Sequence, residues 1–341
     1  MVAFVGAAAL LAACGSSAAP EPSASPTSGA AAPDFAQFLG KPSPDQCAGR
    51  TYSLGFDVFS DSQSFALATR EGIDRAAATM GCVTVETLSD GADPDKAVQN
   101  AKIFMQKEKD GVILAQVIAA AQPGIVKVLK DGGAQGVATY VPAPGIPFVD
   151  VDNAKAGEKA GAALGEIAKE KWPSDVPYLL IGAFEEGGEL SVARMKGYET
   201  GLRTVFPELP PDHIFYIPTK ADPPTANANT SNILAKIPEG AKLLAGGIND
   251  ETTLAMVQAI QTSGRGADYA AVGQGASVLD AVCKGQLNGS IGYFPDKYGD
   301  YLVPAVIALI QGQKVPDFVE LPTELLTKDN IGEFYPDQAC S

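Results

Sequence analysis

Residues 241–256 read AKLLAGGINDETTLAM. An apolar run, KLLAGG, ends on two glycines, Asn249, Asp250 and Glu251 follow at once, and Thr252 to Met256 open a helical segment. A buried strand that turns tightly into a helix is the repeating unit of a parallel sheet, whose strands need a crossover to return the chain to the same end. Asp250 is the expected N-cap of that helix, with Glu251 favouring its dipole. Asn249 is then the polar side chain left over at the strand end.

The same unit recurs in both directions. From Thr51 the chain reads TYSLGFDV and a helix to about Met80, CVTVETL and DPDKAVQNAKIFMQKEKD, GVILAQ and a helix to Lys130, then QGVATY. In DPDKAVQNAKIFMQ, Asp93 is placed to cap, Pro94 suits the first turn, and Ala97, Ala101, Phe104 and Met105 share one face. After FVDVDNAKAGEKAG the rhythm resumes with PYLLIGA, a helix around Arg194, HIFYIPT, a helix through Leu234, the opening unit, YAAVGQG, a short helix and GSIGYFP. YGDYLVPAVIALIQGQ is too short for a membrane span and carries Pro304, so it predicts a last core helix. The expectation is an α/β protein of two Rossmann-like lobes with parallel sheets. Such sheets place their ligand loops at the carboxyl ends of the strands, so two facing edges enclose a cleft.

Composition narrows the function. The chain has 341 residues, 46% of them apolar, enough to bury the cores of two domains. Its 25 basic and 40 acidic residues give a net charge of −15, with no basic run able to neutralise a phosphate backbone, so nucleic acid is not an expected partner. His213 is the only histidine, which removes zincin and His-rich metal sites, Ser-His-Asp and Cys-His triads and most imidazole acid–base chemistry. Neither enzyme activity nor a metal nor a cofactor is expected. The turns AGGIN and VGQGAS lack the spacing of a phosphate loop.

Residues 1–14, MVAFVGAAALLAAC, have the length and small residues of a signal segment. Leu11-Ala12-Ala13-Cys14 resembles the bacterial lipobox, which implies lipidation of Cys14, although no basic residue precedes it. Residues 15–46, rich in Ser, Ala and Pro, read as a flexible tether. An exported chain keeps disulfides, and of three possible pairings Cys47–Cys82 and Cys283–Cys340 are favoured. The first pair precedes two strands that should be neighbours, and the second would pin the C-terminal tail to a helix.

From about Thr51 to Tyr335 the chain resembles the type I periplasmic-binding-protein-like solute receptors of the ribose-binding cluster, which deliver sugars and polyols to ABC importers. The landmarks are GFDVFSDSQSFALATREGIDRAA, VDNAKAGEKAG, ARMKGYETGL, INDETTLAMVQAI, YAAVGQG and GYFPDKYG, in that order. The resemblance implies three hinge strands between lobe one, residues 51–152 plus 294–318, and lobe two, residues 153–293 plus 319–341. It implies ligand contacts from Asp57, Ser60, Asp61, Gln63 and Phe65 of the first loop, Gln116, Arg194 and Asn249. Tyr140, Gln274 and Tyr293 join them as candidates. Thr139-Tyr140-Val141 stand where the family has an Asp-Arg pair, Gly275 replaces its aspartate, and Tyr293 stands where a glutamine is common. These departures remove much of the usual clamp for a pyranose ring.

Amide, carboxylate and guanidinium groups suit a polyhydroxylated ligand, because a buried hydroxyl left unpaired costs about 1–3 kcal/mol. Phe59, Phe65, Tyr140 and Tyr293 would cover its carbon skeleton or only pack the cleft rim. Asp152 and Asn153 either contact ligand or cap the next helix. Glu185, Glu186 and Glu189 either favour a helix dipole, bind an amine or restrain Arg194. The expected protein is a monomeric, lipid-anchored extracytoplasmic receptor that delivers a small neutral sugar or sugar alcohol to an ABC permease. The alternatives are a sensor that presents its closed form to a membrane receptor kinase, and a binder of an amino-bearing solute.

Overall fold

The computed structural model describes residues 35–340; the signal segment, Cys14 and most of the tether lie outside the described residues. The chain runs β1 (Tyr52–Val58), α1 (Ser64–Met80), β2 (Val83–Ser89), α2 (Pro94–Gln106), β3 (Gly111–Ala115), α3 (Gln122–Gly132), β4 (Gln135–Thr139) and β5 (Phe148–Val151). It crosses to α4 (Asn153–Lys171), β6 (Tyr178–Ala183), α5 (Glu189–Val205), β7 (Ile214–Pro218), α6 (Pro223–Leu234), β8 (Leu243–Gly247), α7 (Asp250–Thr262), β9 (Tyr269–Gln274), a short α8 (Leu279–Cys283) and β10 (Gly289–Gly292). A second crossing leads to α9 (Gly299–Ile310) and β11 (Phe318–Leu321), and a third to β12 (Glu324–Leu326) and α10 (Ile331–Phe334).

These strands form two six-stranded sheets, β2-β1-β3-β4-β5-β11 and β7-β6-β8-β9-β10-β12. All pairs are parallel except β10–β12 at the edge of the second. Strand β3 shows why GVILA is apolar throughout. Val112 and Leu114 pack with Phe104 and Ile125, while Ile113 and Ala115 belong to the core of Phe56 and Ile73 on the other face. A strand covered by helices on both faces cannot alternate with polar residues. Strand order reverses beside β1 in the first sheet and beside β6 in the second, so both switch points open at carboxyl ends.

Two expected boundaries move. Lobe one was expected to end at 318, but β11 continues to Leu321 in parallel register with β5. Val319 and Leu321 are buried and the Phe318 ring stacks on Phe148 at 5.8 Å, so the third crossing follows Leu321. The tether was expected to run to residue 46, yet Phe35–Phe38 and Pro44–Cys47 form 3₁₀ turns. Phe38 is buried and Gln311 Nε2 donates to Gln46 O at 2.6 Å, so apolar and backbone contacts fix this stretch to α9.

Disulfides join Cys47 to Cys82, at the starts of neighbouring β1 and β2, and Cys283 of α8 to Cys340 of the tail. The tail lays Phe334 and Tyr335 against Phe294, which lies on the second crossing.

Helices α4 and α5 meet backbone to backbone along glycines. A Cβ on Gly197 would lie 2.5 Å from Ala154 O and 2.7 Å from Glu158 N, and Gly157, Gly161 and Gly201 face the partner helix as closely. Only residues without a side chain permit this approach. It sets the height of Arg194 on α5 over the start of α4.

Candidate functional site

The carboxyl ends of the two sheets enclose a cavity of about 220 Å³. Six aromatic rings line it: Phe59, Phe65, Tyr140, Phe184, Tyr293 and Tyr298. Phe65 is the hub, with edge-on contacts at 5.6 Å to Tyr140, 6.3 Å to Tyr293 and 5.8 Å to Tyr298. Phe59 meets Tyr140 at 5.7 Å. Edge-to-face geometry holds such rings in fixed orientations. Their hydroxyls are also committed, Tyr140 Oη donating to Thr69 Oγ1 at 2.7 Å and Tyr293 Oη to Gln274 Oε1 at 2.6 Å.

The second lobe supplies most of the polar lining. Arg194 is aimed by its Nε, which donates to Asn153 Oδ1 at 2.9 Å, by its Nη2 on the same oxygen, and by Nη1 donating to Ile248 O at 2.8 Å. Its guanidinium also lies 4.8 Å from the centre of the Tyr293 ring, a cation–π contact. A guanidinium has five N–H donors, so three are committed, one from each nitrogen, and two remain for the cavity.

The opening stretch divides differently from its expectation. Asn249, not Asp250, is the N-cap of α7: its Oδ1 accepts from Thr252 N at 2.9 Å and from Thr252 Oγ1 at 2.7 Å. Asp250 is the first helical residue and fully buried, where it accepts from Ser290 Oγ at 2.7 Å and Ser277 N at 2.7 Å. Burial pushes its carboxyl up to about 6. The Asn249 side chain still lines the cavity, and its Nδ2 makes no hydrogen bond among the described residues.

Of the eleven candidate ligand contacts, Gln63, Phe65, Tyr140, Arg194, Asn249, Gln274 and Tyr293 line the cavity, while Asp57, Ser60, Asp61 and Gln116 do not. Asp57 is completely buried and accepts from Asn100 Nδ2 at 2.7 Å and Gln116 Nε2 at 2.9 Å. Gln116 Nε2 also donates to Asp90 Oδ2 at 2.7 Å, so two carboxylates and two amides satisfy one another below the cleft floor. Burial pushes Asp57 up to about 8 and also raises Asp90. Ser60 Oγ accepts from Gln63 N at 3.0 Å to close the first loop, and Asp61 is exposed. Gln63 itself caps α1, its Oε1 accepting from Ala66 N at 3.1 Å.

The alternatives left open by sequence also separate. Asp152 caps α4 through Lys155 N at 3.1 Å, whereas Asn153 lines the cavity and holds Arg194. Glu185, Glu186 and Glu189 are exposed and absent from the lining. Asp150, Phe184, Ser191 and Tyr298 were not anticipated. Asp150 sits in the β5 run FVDV, where a carboxylate among apolar residues was the available signal. Among the described residues no group of three or more His, Cys, Asp or Glu is placed to hold a metal, and no helix is long and apolar enough to cross a membrane.

A family model described as a periplasmic binding protein domain matches residues 54–314. The L-arabinose-binding periplasmic protein of Escherichia coli (strain K12) is 27% identical over 299 residues, 82% of this chain and 89% of that protein. An ABC transporter solute binding protein from Bacillus halodurans C-125 with bound myo-inositol superposes with a TM-score of 0.68 at 17% identity, covering 84% of this chain and 98% of its own. A structure from Mycobacterium smegmatis in complex with β-D-fucofuranose gives a TM-score of 0.67 at 18% identity, over 85% and 97% of the two chains. With two mostly parallel sheets, three crossings and a cleft at their facing carboxyl ends, the chain belongs to the periplasmic binding protein family, in its type I, ribose-binding-like branch.

Proposed function

We propose that this protein is an extracytoplasmic receptor, lipid-anchored at Cys14, that captures a small neutral sugar or sugar alcohol between its lobes and delivers it to an ABC permease. The observation that carries the reading is the cavity lining, rings on several sides with Asn153, Arg194, Asn249 and Gln274 along one wall. Rings cover the C–H faces of a polyol while amide and guanidinium groups satisfy its hydroxyls. The relatives named above for L-arabinose, myo-inositol and β-D-fucofuranose support the same class. Arg194 in the cavity opposes a cationic amine, and Glu185, Glu186 and Glu189 stay outside the lining, whose carboxylates are Asp150 and Glu251.

Binding and motion, with no covalent step, make up the function. A ligand that touches both lobes only when they are closed favours the closed form, and the three crossings act as the hinge. The protein acts as a monomer, with its partners limited to the solute, the permease and the membrane holding its anchor.

The test is a thermal-shift screen against sugars, alditols and amino acids, since a ligand at a hundred times its Kd stabilises the folded state by about 2.7 kcal/mol. Calorimetry on Asn249→Asp follows. That variant keeps the acceptor for Thr252 N and loses the Nδ2 donor, so affinity should fall about tenfold with little loss of helix stability. Unchanged affinity for the best polyol removes Asn249 from the ligand set.

A further inference from the structure

Lobe one brings little polar chemistry to the cavity. Its lining consists of Phe59, Gln63, Phe65, Val117, Tyr140, Val141, Asp150 and Tyr298. The Gln63 oxygen caps α1, and the Tyr140 and Tyr298 hydroxyls donate to Thr69 and to Asp150. Asp150 is therefore the only carboxylate that lobe one presents there.

Its bonding is one-sided. Oδ1 accepts from Val151 N at 2.7 Å and Tyr298 Oη at 3.0 Å, whereas Oδ2 accepts from Tyr140 N alone, at 2.7 Å. A carboxylate offers about four lone-pair positions, so Oδ2 keeps acceptor capacity. Across the cavity stands Arg194, whose charge acts on Asp150, yet no ion pair within 4.0 Å joins them. An acceptor on one lobe and a donor fork on the other, lining the same cavity without touching, flank a space for a group that both donates and accepts. A hydroxyl is such a group, and an ammonium or carboxylate is not.

We propose that Asp150 is a specificity-determining ligand contact, accepting a hydrogen bond from a ligand hydroxyl that in turn accepts from Arg194, so that one hydroxyl links the two lobes. This assignment rests on the polyol reading above and deepens it. It also ties the ligand to the hinge, because Asp150 lies on β5 just before the first crossing and Tyr298 lies on the second.

The contact has a pH signature. Burial, the largest influence, pushes the Asp150 carboxyl up to about 6, against its three hydrogen bonds and Arg194. The titratable and charged groups facing it are Tyr140 at the end of β4, Tyr293 after β10, Tyr298 before α9 and Arg194 on α5; burial drives all three phenols upward, away from neutral pH. Protonation of Oδ2 removes the acceptor, so polyol affinity is full above pH 7 and declines as pH falls through about 6. At pH 5 it should be about tenfold weaker than at pH 7.5.

The experiment is calorimetry with L-arabinose, myo-inositol, D-allose and D-fucose between pH 5 and 8, on the wild type and on Asp150→Asn. The wild type is expected to show the decline. The variant, whose single oxygen is held by the two donors Val151 N and Tyr298 Oη so that its NH2 replaces Oδ2, should bind about ten- to a hundredfold more weakly at pH 7.5 and show a flat profile. A purely structural Asp150 would leave the wild-type profile flat, and that measurement needs no variant to fold. A flat wild-type profile, or a variant with wild-type affinity, overturns the assignment while leaving the polyol reading in place. No binding of any of the four by the wild type overturns both.

Discussion

Substituting Gly197 by alanine tests whether the α4–α5 seam positions the binding groups. The new Cβ would sit 2.5 Å from Ala154 O and 2.7 Å from Glu158 N, both backbone atoms that cannot rotate aside. Restoring ordinary contact means sliding α5 outward by roughly 1 Å in a core with crystal-like density. Overpacking of this kind costs about 1–3 kcal/mol, and alanine returns about 1 kcal/mol through its helix propensity. A net loss of up to about 2 kcal/mol lowers Tm by several degrees in a body of this size. Arg194 lies one turn before Gly197, and a displacement of roughly 1 Å stretches the 2.8 Å bond to Ile248 O past useful length. Polyol affinity should therefore fall about tenfold in addition to the loss of stability. Thermal denaturation and calorimetry read the two effects separately. The control is Gly266→Ala, whose Cβ would rest 3.7 Å from Gln261, and which should change stability by no more than about 0.5 kcal/mol. If Gly197→Ala melts and binds like the wild type, the seam does not set the position of Arg194.

Asp57 holds its proton in the folded state up to about pH 8, whereas an unfolded carboxyl loses it near 4, so this residue makes stability decline as pH rises through that interval. Asp57→Asn should remove the decline, and the difference in Tm from the wild type should grow from pH 4 to pH 8 and then level off; parallel curves would contradict the buried pairing. Replacing both Cys283 and Cys340 by serine opens a loop spanning 57 residues and should cost up to about 4 kcal/mol in denaturant titrations under oxidising conditions. Under reducing conditions the wild type and the variant should differ by much less, because reduction opens the same loop in the wild type.

The architecture was readable because its signals are local. Runs such as GVILA and KLLAGG, followed by Pro94 or a polar cap, place strands and helices without knowledge of their neighbours. Residues failed where a partner distant in sequence decides their role. Asp57 and Gln116 end strands at the cleft edge and read as ligand contacts, but Asn100 and Asp90 claim them from below. Asn249 takes the cap expected of Asp250 because the cap falls where the chain leaves β8, and Ser290, forty positions away, draws Asp250 into the core. Asp150 went unnoticed for the converse reason. Its partners Tyr140 and Tyr298 come from a separate strand end and a separate crossing, which no local pattern announces.

The two disulfides have a mechanical consequence that follows from their addresses. Cys47 and Cys82 both belong to the β1–β2 edge of the first sheet, while Cys283 and Cys340 both lie with the second. Neither cross-link spans the gap between the jaws. Oxidation therefore ties each jaw internally and adds no covalent bond between them.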